Sequence, residues 1–254
     1  MIRPLIAGNW KMHKTIPEAI DLAGKTAAAA AAYFDRDVAI APPFTALRLV
    51  AEILKGSNVR LCAQNLHPSP QGAFTGEVSA SMLADAGCEY VIIGHSERRT
   101  LFGETDDHVR AKIHAALQAG LKPICCIGES LAEREEGRTF NVLERQLKGG
   151  LNNFQAADIS HLVIAYEPVW AIGTGKTATP AQAQEAHVFI RCVASQLFGR
   201  NFGESLAILY GGSVSPKNID ILMACADING ALVGGASLEA DSFGQIIGFQ
   251  QQQP

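Results

Sequence analysis

The sequence predicts an α/β fold: a (β/α)8 barrel of eight parallel strands, forming a single domain over residues 1–254. Eight short apolar runs recur along the chain, separated by segments of helix length. The runs are continuously apolar rather than alternating, which is typical of parallel strands buried on both faces. No linker rich in Pro, Gly or Ser divides the chain, and such barrels often fill about 250 residues as one domain. A doubly wound open sheet is the alternative, although it usually has fewer strands.

The eight predicted strands are short and rich in aliphatic residues. They cover residues 5–7, 38–40, 59–62, 90–93, 124–127, 162–166, 206–210 and 231–233. Helix starts are predicted where a Ser or Thr cap precedes a proline or an acid. These caps are Thr15, Thr105, Thr179 and Ser215. Gly87 and Gly120 stand where helices should end.

Composition and charge exclude several classes of protein. Hydrophobic residues make up 48% and charged residues 18% of the chain, which indicates a globular protein. The net charge is -4 and no Lys/Arg cluster forms a basic stripe, so we expect no nucleic-acid partner. No apolar run approaches the ~18 residues that span a bilayer, and the first residues do not resemble a signal peptide. A cytoplasmic location is therefore expected by elimination.

The cysteines and acids give no sign of a metal or cofactor site. The six cysteines include no C-x-x-C pair and no His at zinc spacing. Cys125 and Cys126 lie within an apolar run, which predicts buried, reduced thiols. We therefore expect no metal and no cofactor.

The candidate site is found among the residues directly after each predicted strand, because catalytic groups of such barrels lie at the carboxyl ends of the strands. One lysine, one histidine, one glutamate and two glycine turns converge on this rim. They are Asn9 and Lys11 after the first strand, His95 after the fourth, Glu167 after the sixth, Gly211 to Ser213 after the seventh, and Gly234 and Gly235 after the eighth.

These residue types suit one kind of chemistry. A carboxylate such as Glu167 can remove a proton from a carbon beside a carbonyl group. Lys11 and His95 can stabilise the enediolate oxygen that results. Backbone N–H groups of glycine turns can bind a phosphate. Each residue alone has a plainer interpretation, since Lys11 could be a solvated charge and His95 a core histidine; their coincidence at strand ends favours a site.

Five segments together resemble the triosephosphate isomerase family, in family order and on the expected strands. They are residues 8–12, 93–99, 165–176, 210–214 and 232–235. The resemblance implies the TIM barrel fold and the interconversion of dihydroxyacetone phosphate and D-glyceraldehyde 3-phosphate, a step of glycolysis and gluconeogenesis. It also implies a small phosphorylated triose as substrate.

The resemblance assigns a role to each site residue. Glu167 would be the base that moves the proton between two carbons, and Lys11, with Asn9 beside it, would supply positive charge. His95 would act as a neutral electrophile, its pKa lowered by the helix start at Ser96. The phosphate would bind the N–H groups of Gly173, Ser213, Gly234 and Gly235, beneath a lid formed by residues 168–176.

The segment 64–80 is long for a barrel loop, and in the family it packs into a partner subunit. We therefore expect a homodimer through the loop that carries Thr75. A self-packed loop is the alternative. Residues His13 and Lys14 depart from what family members often carry, which bears on the interface.

Two other functions stay open on the sequence. A Schiff-base aldolase on the same fold would need a lysine where Glu167 stands. A non-catalytic binding scaffold would not need Lys11, His95 and Glu167 together.

Overall fold

Eight parallel strands close into a barrel, in sequence order, in the computed structural model, which describes residues 2–172 and 177–250. The strands are β1 (Leu5–Asn9), β2 (Asp37–Ala41), β3 (Val59–Ala63), β4 (Tyr90–Ile93), β5 (Lys122–Ile127), β6 (Val163–Tyr166), β7 (Ala207–Tyr210) and β8 (Gly230–Val233). Pairing of Leu5 with Gly230 joins β1 to β8 and closes the ring. The predicted barrel is confirmed, and the open sheet is excluded.

Eleven α-helices lie in the part of the chain that the structure describes. They are α1 (Ile16–Ala30), α2 (Leu47–Leu54), α3 (Ala80–Asp85), α4 (Ser96–Leu101), α5 (Asp106–Gln118), α6 (Leu131–Glu135), α7 (Thr139–Leu151), α8 (Pro180–Phe198), α9 (Arg200–Ser205), α10 (Ile219–Met223) and α11 (Ala240–Ile247). Short 3-10 helices cover Phe44–Ala46, Val169–Ala171 and Gly235–Leu238. None of the described helices is long and apolar enough to cross a bilayer.

Three of the four predicted helix caps are confirmed. Thr15, Thr105 and Thr179 each directly precede a helix; the Thr179 hydroxyl, for example, accepts from the Gln182 N–H at 3.2 Å. The prediction at Ser215 is wrong by one turn, since α10 begins at Ile219. The reason is local: the Asn218 side chain accepts the Ser215 N–H at 2.8 Å, which stabilises a turn ahead of the helix.

The strands pack on both faces, as their continuous apolar sequence predicts. One buried cluster fills the barrel interior with alternate residues of the strands, among them Ala7, Ala39, Ile92 and Leu209. A larger cluster fills the space between strands and helices. Because both faces are covered, the carboxyl ends of the strands are left to carry polar groups. Cys125 and Cys126 are buried and free of disulfides, as predicted.

Candidate active site

A cavity of about 280 Å3 opens at the carboxyl ends of the strands. Every described residue of the predicted site lines it: Asn9, Lys11, His95, Glu167, Ser213, Gly234 and Gly235. Gly173 and the lid residues from Gly173 to Lys176 lie outside the described residues. The structure thus gathers side chains from β1, β4, β6, β7 and β8 around one cavity.

Glu167 directly follows β6 and is 2% exposed. Its Oε2 accepts the Ser96 N–H at 2.8 Å, and its Oε1 lies 3.0 Å from His95 Nε2. Burial alone would raise the pKa of Glu167, but His95, the Ser96 N–H and Lys11 outweigh it and hold the pKa below its usual value. The carboxyl group is therefore ionised at neutral pH, as a base must be.

His95 lies between Glu167 and the first turn of α4. The Glu97 N–H points at Nδ1 at 3.3 Å, so a ring with its proton on Nε2 satisfies both contacts. Burial acts to lower the pKa of His95, but the Glu167 carboxylate outweighs it and the net direction is upward. The lowered pKa of His95 that the resemblance implies is wrong for this arrangement, because the Glu167 carboxylate contacts Nε2 of the ring.

Lys11 adopts a left-handed backbone, with φ of 51°, which is uncommon for a residue with a side chain. Asn9 Oδ1 accepts the Lys11 N–H at 3.0 Å, and Gln64 Nε2 donates to the Lys11 carbonyl at 2.8 Å. These two contacts hold the strained residue from both sides. The Lys11 ammonium group in turn pairs with Glu97 Oε1 at 2.5 Å.

The glycine turns after β7 and β8 form the opposite wall of the cavity. The short helix Gly235–Leu238 begins at this wall, and Ser237 binds the Gly234 carbonyl through its N–H at 2.8 Å and its hydroxyl at 2.7 Å. A Cβ placed on Gly235 would meet no atom within 4 Å, so its backbone faces open space. Such a helix start can accommodate an anion.

Three residues outside the predicted site support it. Glu97 and Gln64 hold Lys11 through its ammonium group and its carbonyl. Glu129 is fully buried after β5 and accepts from Tyr166 Oη at 3.2 Å, Trp170 Nε1 at 2.8 Å and Arg134 Nη1 at 3.1 Å. The position of Glu129, two residues beyond a predicted strand, was the available signal.

Arg98, two residues after Ser96, belongs to a structural network. Arg98 and Lys112 both pair with Glu104, and Lys112 Nζ also donates to Asn65 Oδ1 at 2.6 Å. Among the described residues, no group of His, Cys, Asp or Glu is placed to hold a metal ion.

Comparisons with known proteins agree with this geometry. A sequence model of the triosephosphate isomerase family matches residues 4–250. The triosephosphate isomerase of Syntrophotalea carbinolica is 54% identical over 98% of this chain and 99% of its own. That of Geotalea uraniireducens is 55% identical, over 99% of this chain and 100% of its own.

A solved structure gives the same result. The crystal structure of triosephosphate isomerase from Bartonella henselae matches with a TM-score of 0.87 and 43% identity, covering 96% of this chain and 98% of that one. Sequence and fold therefore agree along nearly the whole length. The chain belongs to the triosephosphate isomerase family.

Proposed function

We propose that Glu167, His95 and Lys11 carry out the proton transfer of the family's reaction. Family membership gives this chain the activity itself: aldose–ketose isomerisation between dihydroxyacetone phosphate and D-glyceraldehyde 3-phosphate, a step of glycolysis. The observation that supports our assignment is the buried, ionised Glu167 in direct contact with His95, on a cavity that Lys11 also lines. The position that a Schiff-base aldolase would fill with lysine is this glutamate.

The proposed steps follow from the charges. Glu167 takes a proton from the carbon beside the carbonyl, and the electron pair moves to the carbonyl oxygen to form an enediolate. His95 Nε2–H and the Lys11 ammonium stabilise that oxygen. The hydroxyl proton on the deprotonated carbon passes to the former carbonyl oxygen, with His95 Nε2 as the carrier, which leaves the enediolate charge on the other oxygen. Glu167 then returns its proton to the former carbonyl carbon. No electron donor or acceptor outside the substrate is required.

Glu167 must first give up its present contacts. Substrate bound in the cavity would offer its carbonyl oxygen to His95 Nε2 and its carbon to the carboxylate. When the carboxylate leaves the ring, the main influence that raises the pKa of His95 goes with it. Burial and the Lys11 charge then lower the pKa of His95 while the Glu97 carboxylate raises it, and we propose that the balance favours the neutral ring, which is the electrophile that the resemblance implies.

The opposite wall of the cavity supports an assignment of the phosphate. We assign it to the N–H groups of Ser213, Gly234 and Gly235, with Gly173 completing the set from the lid. An anion at the start of the helix Gly235–Leu238 gains from the helix dipole. Closure of residues 168–176 over the substrate would keep water from the enediolate.

The experiment that tests these roles is Glu167→Gln in a coupled assay with D-glyceraldehyde 3-phosphate. We expect a fall of ~10²–10⁴ in kcat, because a general base is lost. Inhibition by inorganic phosphate should persist, since the phosphate wall is untouched. Activity within about threefold of wild type would reject Glu167 as the base.

We also propose a homodimer through the loop that carries Thr75. Phe74 on this loop is 44% exposed, and Met12 and Phe102 are exposed beside Lys11. A second cavity, of about 220 Å3, lies between Lys11, Met12 and Phe102. A two-fold contact that inserts each loop into its partner would cover these apolar groups in both subunits.

Thr75→Arg tests the dimer, because a charge at the loop tip would weaken the contact and loosen the support of Lys11. We expect light scattering to show a dimer for wild type and a shift toward the 27.0 kDa monomer, with lower activity, for the variant. A fully active wild-type monomer would overturn the proposal.

We also propose that residues 1–254 form a single domain and that the protein is cytoplasmic. The closed barrel supports the single domain, and the glycolytic substrate supports the location.

A further inference from the structure

Gln146 is a glutamine on α7 that faces inward and is 5% exposed. Its amide makes two hydrogen bonds to one residue at the end of β5. Oε1 accepts the Gly128 N–H at 2.8 Å, and Nε2 donates to the Gly128 carbonyl at 3.2 Å. The side chain thus binds both polar groups of Gly128, as a neighbouring strand would, one residue after β5 ends at Ile127.

Gly128 presses directly against the main chain of Glu167. A Cβ placed on Gly128 would lie 1.7 Å from the Glu167 carbonyl oxygen and 3.2 Å from its Cα. The residues on either side continue the contact: the Ile127 carbonyl accepts the Glu167 N–H at 2.8 Å, and the Glu129 carbonyl accepts the Val169 N–H at 3.1 Å. Residues 127–129 therefore form the surface along which the backbone of the base runs.

Hydrogen bonding, rather than tight packing, fixes this surface from the α7 side. A cavity of about 160 Å3 lies here, lined by Gln146, Gly128, Ser96 and Glu167 among others. Without the Gln146 amide, Gly128 could shift into this space, and the Glu167 backbone would follow it.

We propose that Gln146 is a positioning residue for the general base, acting through Gly128. The inference rests on the role proposed for Glu167. A base must reach the substrate carbon in a narrow geometry, and a misplacement of about 1 Å can cost ~10²-fold in rate. Gln146 contacts neither the cavity that holds the substrate nor its phosphate wall. Its loss should therefore slow proton abstraction without weakening substrate binding.

Gln146→Met tests this, because methionine has similar length but makes neither hydrogen bond. We expect kcat to fall about 10–100-fold with KM changed less than about threefold. Deuterium on the carbon that loses its proton should slow the variant more than wild type, because proton abstraction becomes limiting. A purely structural role would leave this isotope effect unchanged.

Gln184→Met is the matched control. Gln184 on α8 also makes two hydrogen bonds to one residue, accepting from the Asp227 N–H at 3.1 Å and donating to Asp227 Oδ2 at 2.7 Å, ahead of β8. Its loss should lower stability and leave kcat within about twofold of wild type. An equal loss of kcat in both variants, or an unchanged kcat and isotope effect in Gln146→Met, would overturn the proposal.

If Gln146→Met does not fold, Gln146→Glu provides a second test of the positioning role. Glutamate keeps an acceptor for the Gly128 N–H but places a carboxylate oxygen against the Gly128 carbonyl, so the same loss of kcat and rise in isotope effect are expected. A folded Gln146→Glu enzyme with wild-type values of both would overturn the inference. If Glu167→Gln retained its activity, the role of Glu167 as base would be rejected. If Glu167→Gln lost activity while Gln146→Met kept the wild-type kcat and isotope effect, only the inference about Gln146 would be rejected.

Discussion

The two ends of the barrel both bury charged side chains, but they pair them differently. At the amino-terminal end, Arg191 donates to the carbonyls of Gly203 and Leu206 at 2.7 and 2.8 Å and to Asp227 Oδ1 at 2.6 Å. At the carboxyl-terminal end, Glu167 and His95 bind each other. Arg191 cannot leave its carboxylate partner without also leaving two main-chain carbonyls unpaired, so the fold holds it in place. Glu167 and His95 can exchange their contact with each other for contacts with a ligand.

Arg36 repeats the pattern at the amino-terminal end. It is 6% exposed, donates to the carbonyls of Ile247 and Phe249 at 2.7 and 2.8 Å, and stacks 3.8 Å over the Phe249 ring. This contact fixes the chain after α11 beneath β2. The comparison predicts that substitutions at this end change stability, whereas substitutions at the other end change activity.

The largest effect on stability is expected for Arg191→Met. The substitution leaves Asp227 Oδ1 and two carbonyls without the arginine, although Gln184 still donates to Asp227 Oδ2, so the free energy of unfolding should fall by about 3–5 kcal/mol. Urea unfolding measures this change. The kcat of the folded fraction should stay within about twofold of wild type, and a larger loss would show that the two ends are not independent.

The reverse is expected for Lys11→Met. The ammonium group is lost from the oxyanion side of the cavity, so kcat/KM should fall by ~10²–10³, as when one oxyanion donor is removed. Because the Lys11–Glu97 pair is partly exposed, unfolding free energy should change by less than about 1 kcal/mol.

Lys25→Met is the control for this charge change. Lys25 pairs with Asp21 on the exposed face of α1 and does not line the cavity. Its activity and stability should match wild type. If Lys11→Met lost stability as Arg191→Met does, the contrast between the ends would fail.

Much of this fold could be predicted because local sequence determines its strands and helix caps. Strands such as 90–93 are continuous apolar runs, and caps such as Thr179 lie within three residues of their partners. The site residues were found because the barrel rule states where catalytic groups lie, so Glu167 needed only its position after β6.

The remaining features depend on contacts distant in sequence. The Lys11–Glu97 pair joins residues 86 positions apart, and Gln64 reaches Lys11 across 53. Nothing in the local sequence distinguishes Gln146 from other polar helix residues, because its contacts with Gly128 form only when α7 packs on β5. The pKa of His95 depends on where the Glu167 carboxylate rests, which only the folded arrangement defines.

The pH dependence of stability sharpens the comparison through a second buried histidine. His187 on α8 is fully buried; its Nδ1 lies 3.2 Å from the Asp227 carbonyl, and its Nε2 is a buried atom with no hydrogen-bond partner among the described residues. Burial lowers the pKa of His187 to about 4. Glu167 shifts the pKa of His95 in the opposite direction, so the two rings should respond to acid in opposite ways.

The sign of the effect follows from proton uptake. Above about pH 6.5, His187 is neutral in both the folded and the unfolded chain. As the pH falls toward 4, the unfolded chain binds a proton that the folded chain does not, so stability is lost over this window. Between pH 7 and 4.5, His187 should account for a loss of about 2–3 kcal/mol. His187→Asn keeps a donor for the Asp227 carbonyl and does not titrate, so denaturant unfolding of this variant should show a correspondingly smaller loss. Equal losses in both proteins would mean that His187 is protonated, or accessible to water, in the folded chain.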